Sequence, residues 1–316
     1  MSDPEAGGRR DPMLAPRYMD IPTFMRTPLI EDPSMFDIAL VGLPYDGAVT
    51  NRPGARHGPR EVRNASSMMR AIHATTRVNP YEICRVGDGG DVPFQRLYEP
   101  EAAHEDIETF ISTFKNEGVR TLAVGGDHSV TLPVLRALAS DGPVGLIQID
   151  AHTDTWDEFM GSRYSHGAPF RRAVEEGLID PGRTIQIGIR GAQNTTEGWD
   201  YSASSGMRVV FMDEITRDGV EAAGQEAMRI VGTAPTYLSF DIDSVDPAFA
   251  PGTGTPEIGG LTSVESLTLL RALRGVQLMG ADVVEVAPPF DPTGGTSLLA
   301  ATLMYEVLCL MAERAA

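Results

Sequence analysis

Seven short runs dominated by Val, Ile and Leu, at 38–42, 121–125, 144–149, 184–189, 208–212, 236–240 and 279–284, are separated by amphipathic stretches and set the architecture of this chain. Continuous apolar runs of this length suit strands covered on both faces, as in a parallel sheet. The stretches at 59–71, 101–117, 130–139, 170–176, 219–231, 263–273 and 296–313 suit the helices between them. Strand and helix alternate throughout, which predicts one α/β domain, a three-layer α/β/α sandwich. A chain of 316 residues can bury a full core. No internal repeat, low-complexity linker or shift in composition marks a second domain, so 36–316 reads as one unit and 1–35 as an N-terminal extension.

Charge narrows the partners. With 26 Lys+Arg against 44 Asp+Glu the formal net charge is −18, a surface that repels phosphate backbones and anionic lipid and attracts cations. Nucleic acid and membrane are therefore not expected as partners. Lys115 is the only lysine, which removes Walker-type phosphate loops and pyridoxal chemistry, both of which need a lysine in a specific setting. Cys84 and Cys309 form no CxxC and read as buried thiols without a disulfide. The stretch 1–20 has no apolar core, so it is neither a secretory signal nor an anchor, and a cytoplasmic location is expected. The longest apolar stretch, 298–312, is interrupted by Tyr305 and Glu306 and is short for a bilayer.

Long Gly/Pro-rich stretches at 42–59, 87–93, 246–260 and 288–295 break the rhythm, and ligands of open α/β sheets bind beyond the carboxyl ends of the strands. Polar residues stand at those ends. Gly125-Gly126-Asp127-His128 follows the second run, Asp150-Ala151-His152-Thr153-Asp154 the third, and Asp241-Ile242-Asp243 the sixth. In extended chain, residues i, i+2 and i+4 share a face, so Asp150, His152 and Asp154 should converge, as should Asp241 and Asp243. Packed together, these four carboxylates would repel each other and take up protons unless compensated. Two divalent cations cancel the charge. Oxygen and imidazole donors without thiolate suit Mn²⁺, with Ni²⁺, Zn²⁺ or Fe²⁺ as alternatives. Two ions sharing a water would supply hydroxide near neutral pH, a nucleophile for hydrolysis.

These segments resemble the ureohydrolases, the family of arginase, agmatinase and the guanidino-acid hydrolases. The resemblance rests on 125–129, 150–154, Ser239-Phe-Asp-Ile-Asp-Ser-Val-Asp-Pro247 with Pro251-Gly-Thr-Gly-Thr-Pro256, and Glu285-Val-Ala-Pro-Pro289, in family order. It implies an arginase-like fold with an eight-stranded parallel sheet and two Mn²⁺ per subunit. One ion would be held by His128, Asp150, Asp154 and Asp241, the other by Asp150, His152, Asp241 and Asp243. It further implies that Glu285 grips the substrate guanidinium, that His166 passes protons to the leaving amine with Asp154, and that the chain forms a homo-oligomer, a trimer or hexamer, with 13–33 and the C-terminal helix as candidate contacts. A catalytically idle metal-binding homologue would lose a ligand, Glu285 or His166, and none is lost. A deacetylase on the related fold would hold a single zinc, against which the second aspartate pair speaks.

Substrate choice lies outside the metal core. The segments 20–26 and 51–63 look more like those of guanidino-acid hydrolases such as guanidinobutyrase than of agmatinases, so a guanidino acid such as 4-guanidinobutyrate is the first expectation and agmatine the alternative. A carboxylate tail needs donors, which Arg52, Arg163 or Asn51 could supply. An amine tail would prefer Asp157 or Glu158. Trp156 and Phe159 either shape the pocket or pack the loop.

Overall fold

The computed structural model describes residues 13–313; residues 1–12, the start of the stretch read as neither signal nor anchor, lie outside the described residues. The strands are β1 (Ile38–Leu43), β2 (Val86–Asp91), β3 (Arg120–Gly125), β4 (Val144–Ile149), β5 (Ile179–Ile189), β6 (Arg208–Phe211), β7 (Thr236–Asp241) and β8 (Leu278–Val284). They form one eight-stranded sheet in the order β2-β1-β3-β8-β7-β4-β5-β6, and every pairing is parallel.

Each central strand feeds two cores, because successive side chains point to opposite faces. Ile38 and Leu40 of β1 join Leu122 and Val124 of β3 and Leu238 and Phe240 of β7 in one core. Ala39, Val41 and Leu43 join Ala123 and Tyr237 in the other. The first core is covered by α1 (Gly58–Ser66), α8 (Val220–Val231), α9 (Ser263–Ala272) and α10 (Gly295–Glu313), the second by α3 (Pro100–Asn116), α4 (Thr131–Leu138) and α5 (Pro169–Glu175). The helix α10 has the length and mean hydropathy of a membrane span, yet 78% of that window is buried inside the fold, so its apolarity on every side is that of a core helix.

The sequence reading departs from the structure in three places. The glycine-rich stretch 87–93, expected to be loop, is largely the edge strand β2. Its glycines are required there because side chains at Gly87 and Gly89 would collide with Phe36 and Phe114. The helix expected at 59–71 ends at Ser66, whose hydroxyl is committed to the Arg63 carbonyl and the Met25 amide. The short helices α2 (Pro80–Ile83), α6 (Glu197–Ser205) and α7 (Met212–Asp218) lack the length for a periodic signal. Within the N-terminal extension, Phe24 and Met25 are fully buried, while Met13, Tyr18 and Ile21 are exposed.

Candidate metal centre and substrate cleft

Strands β3, β8, β7 and β4 are neighbours in the middle of the sheet, and the chemistry-bearing segments all leave their carboxyl ends. His128 opens a single 3-10 turn (His128–Val130) just beyond β3, capped by Asp127. Asp241 ends β7 and caps the turn Ile242–Ser244, which carries Asp243. Asp150 follows β4, and Glu285 follows β8. His128, Asp150, Asp241, Asp243 and Glu285 are each at most 2% exposed.

The ligand geometry has a common plan. Oδ1 of Asp150 accepts the His152 amide at 2.6 Å, Oδ1 of Asp241 the Asp243 amide at 2.8 Å, and Oδ1 of Asp243 the Ala151 amide at 3.2 Å. Each carboxylate is thus fixed by a backbone amide, and its Oδ2 turns toward an imidazole. Nδ1 of His128 lies 3.1, 2.9 and 3.1 Å from Oδ2 of Asp150, Asp154 and Asp241. Nδ1 of His152 lies 3.1 Å from Oδ2 of Asp243 and 3.7 Å from Asp150. His128, Asp150 and Asp241 form one group able to hold a metal ion, and Asp150, His152 and Asp243 a second, with Asp150 common to both.

The convergence of Asp154 does not come from strand alternation as expected. The chain has left β4 by Ile149, and Asp154 turns back toward His128 through a left-handed backbone, φ 52°. Glu285 sits at φ 63°. Such conformations cost a non-glycine residue on the order of 1–3 kcal/mol and gather at functional sites.

The donor set fits divalent cations. Nδ1 of His128 is buried without a hydrogen-bond partner although three carboxylate oxygens face it, the arrangement of a lone pair that shares a cation with them. Its Nε2 lies 2.8 Å from Oγ of Ser239, which donates to Asp282 at 2.6 Å, and Asp282 also accepts from Thr131 and Tyr237. Without cations the carboxylates strain each other electrostatically. Burial, then Asp154 and Asp243, push Asp150 up to about 7, and burial with Asp243 and Asp150 pushes Asp241 well up. Burial opposes charge on His128, but Asp150, Asp154 and Asp241 outweigh it and raise its pKa.

Beside the two groups lies a cavity of about 60 Å³ lined by Thr50, His152, Thr153, Asp154, Trp156, His166, Gly167, Gln193, Asp241, Asp243 and Thr255. His166 joins it to Glu285, with Nδ1 2.8 Å from Oε1 of Glu285 and Nε2 accepting the Thr50 amide at 3.0 Å, 2.8 Å from the Thr50 hydroxyl. Burial works against charge on His166, but Glu285, helped by Asp127 and Asp154, pushes its pKa up to about 9. Oε1 of Glu285 also accepts the His128 amide at 2.8 Å, whereas Oε2 is buried without a partner.

Of the loop residues singled out from sequence, Trp156 lines the cavity and Phe159 stacks on it, centroids 5.9 Å apart. Arg163 does not reach it. Its guanidinium pairs with Glu175 at 2.8 Å on the outer side of the loop. Asn51 is exposed next to Thr50. Arg52 is committed to the carbonyls of Gly254 and Thr253 and stacks on Phe290. Asp157 pairs with Arg171 and Arg172, and Glu158 does not line the cavity. Sequence reasoning passed over Thr50, Gln193 and Asp282. Only Asp282 carried a signal, an acid inside an apolar run.

An eight-stranded parallel α/β sheet with paired His/Asp groups at the carboxyl ends of its central strands defines a protein built to hold metal ions. The arginase family model matches residues 36–310, and the chain belongs to that family. It is 54% identical over 302 residues, 95% of each chain, to guanidinopropionase of Pseudomonas aeruginosa, and 44% identical over 300 residues, 94% of each, to guanidinobutyrase of the same organism. Among solved structures, proclavaminate amidinohydrolase of Streptomyces clavuligerus superposes with a TM-score of 0.90 at 40% identity, covering 95% of this chain and 100% of that one.

Proposed function

We propose that this arginase-family enzyme hydrolyses a short guanidino acid, with 3-guanidinopropionate ahead of 4-guanidinobutyrate, to urea and the corresponding amino acid. The observation that carries the guanidino part is Glu285. A buried carboxylate with one oxygen fixed by two donors and the other free is prepared for a planar cation such as guanidinium. His128, Asp150, Asp154 and Asp241 would hold one cation and Asp150, His152, Asp241 and Asp243 the other, with Mn²⁺ favoured by the oxygen and imidazole donors. Bound there, the pair would supply an activated water for attack on the guanidino carbon.

The chain's own groups do the rest. Glu285 orients the guanidinium, and Trp156, backed by Phe159, walls the cavity. His166, bonded to Glu285 through Nδ1 and to Thr50 through Nε2, together with Asp154, is placed to move a proton to the leaving amine.

An acid tail is supported by what the cavity offers. Gln193 lines it with a carboxamide that can donate to a carboxylate, and Asp157, the acid that would attract an amine tail, is paired with Arg172. Identity to the guanidinopropionase exceeds that to the guanidinobutyrase. Agmatine is the second reading, because a carboxamide oxygen also accepts from an ammonium. The test is urea release from Mn²⁺-loaded protein with 3-guanidinopropionate, 4-guanidinobutyrate, agmatine, arginine and free guanidine. Preference for a carboxylate-tailed compound is expected; preference for agmatine overturns the acid reading, and silence on all five, repeated with Ni²⁺, overturns the substrate class.

A further inference from the structure

One buried cation in this protein has no carboxylate partner within ion-pair distance among the described residues. Arg190, the residue after β5, is 8% exposed, and its guanidinium donates only to main-chain carbonyls. Nη1 reaches Gly188 at 3.2 Å and Ser244 at 3.1 Å, and Nη2 reaches Asp243 at 2.6 Å and Glu257 at 2.8 Å. Its own amide donates to the Ala151 carbonyl at 3.0 Å. A buried charge without a partner is costly, so its position calls for a physical reason.

The reason lies in which segments it joins. Ala151 stands between Asp150 and His152, and Asp243 is bonded through its own carbonyl. Of the group Asp150, His152 and Asp243, the guanidinium holds the backbone of Asp243 directly, whereas Ala151 between the other two meets the main-chain amide of Arg190, which any residue at this position would supply. Glu257, the fourth carbonyl, brings its carboxylate to within 3.9 Å of Nε2 of His152, the nitrogen that faces away from Asp243. His128 is supported differently, through Ser239 and Asp282, and none of the four carbonyls that the Arg190 guanidinium meets belongs to it. The positive charge also faces Asp243 and Asp150, which draw it while burial opposes it.

We propose that Arg190 is a positioning residue for the His152 cation site alone: it ties the carbonyls of Asp243, Ser244 and Glu257 to that of Gly188 at the end of β5, which fixes Asp243 and Glu257 on either side of His152. A planar fork with donors directed to four acceptors does this, and the single ammonium of lysine cannot. The proposal rests on the two-cation reading above.

Its test is the metal content of full-length protein after Mn²⁺ loading and desalting, alongside the circular dichroism and thermal unfolding of the metal-free form. Wild-type protein is expected to keep two Mn²⁺ per chain; fewer than two in wild type refutes the dinuclear reading itself and is distinguishable from failure of the clamp. R190M and R190K are each expected to fold and keep one Mn²⁺. R52M, which unties Thr253 and Gly254 of the same loop without touching a ligand segment, is expected to keep two. Two ions in folded R190M or R190K overturn the proposal, and so does loss of both ions or a single ion in R52M. R190K preserves charge and most of the stem, so it decides the matter if R190M does not fold. Failure of both to fold makes Arg190 a determinant of the whole fold and equally overturns a role confined to one site.

Discussion

Nδ1 of His166 and the amide nitrogen of His128 both lie 2.8 Å from the same oxygen, Oε1 of Glu285. This leaves Oε2 as the only atom of that carboxylate able to meet a ligand. E285Q removes the charge while keeping the shape, so it is expected to leave metal content intact and to weaken transition-state binding of the guanidinium by roughly 3 kcal/mol, the scale for breaking a buried charged pair. That corresponds to about a hundredfold in kcat/KM. Wild-type kcat/KM in E285Q with full metal loading would remove Glu285 from the substrate site.

Thr50 acts on the other side of the same ring. Its amide fills Nε2 of His166, and its hydroxyl lies at the cavity wall, 2.8 Å away. In T50V the amide stays and the hydroxyl goes, so the His166 ring keeps its amide neighbour and loses the one hydroxyl beside Nε2 that can exchange a proton. We expect kcat to fall about tenfold, the low side of general acid–base effects, with T50S restoring it. Equal kcat in T50V and wild type would confine Thr50 to packing.

Behind His128, Asp282 receives hydroxyl donors from Ser239, Thr131 and Tyr237. An asparagine there can accept on only one side, so D282N leaves a donor facing a donor. Ser239 then orients His128 less well, and Mn²⁺ affinity should fall roughly 10–100-fold. Chelator competition measures this. An unchanged affinity would mean that the relay only fills space.

Much of this was legible from sequence because both signals are local. Apolar runs located seven of the eight strands, and acids following such runs marked His128, Asp150, His152, Asp154, Asp241 and Asp243. What was not legible depends on distant partners. β2 is held by the two-pronged grip of Arg63 on Asp88, by its contact with Asp91, and by packing of glycines under Phe36 and Phe114, none of which leaves a hydrophobic pattern. Arg190 gives no signal either, since its acceptors are carbonyls from 2 to 67 residues away that any sequence would supply. The charges expected to choose the substrate tail looked available in sequence, yet Arg163, Arg52 and Asp157 all have partners within the protein.

His104 makes acid stability a further test of the core next to the site. It is 1% exposed on α3, edge-on to Tyr45 and Tyr164, with Nε2 3.4 Å from the Ser129 hydroxyl and Nδ1 unpartnered. Burial, assisted by Arg136, pushes its pKa down to about 4 from an ordinary 6.5. Between those values the unfolded chain binds a proton that the native chain refuses, so stability rises with pH through that window. The contribution is complete above about pH 6.5 and lost as pH falls toward 4, with a span of roughly 3 kcal/mol. H104Q, which does not titrate, is expected to lose less stability than wild type between pH 7 and pH 4.5 when both metal-free proteins are unfolded in urea. The comparison cancels the titration of the carboxylate cluster, which both proteins share. Parallel pH profiles for the two proteins would show that His104 takes up its proton in the native state as readily as in the unfolded chain.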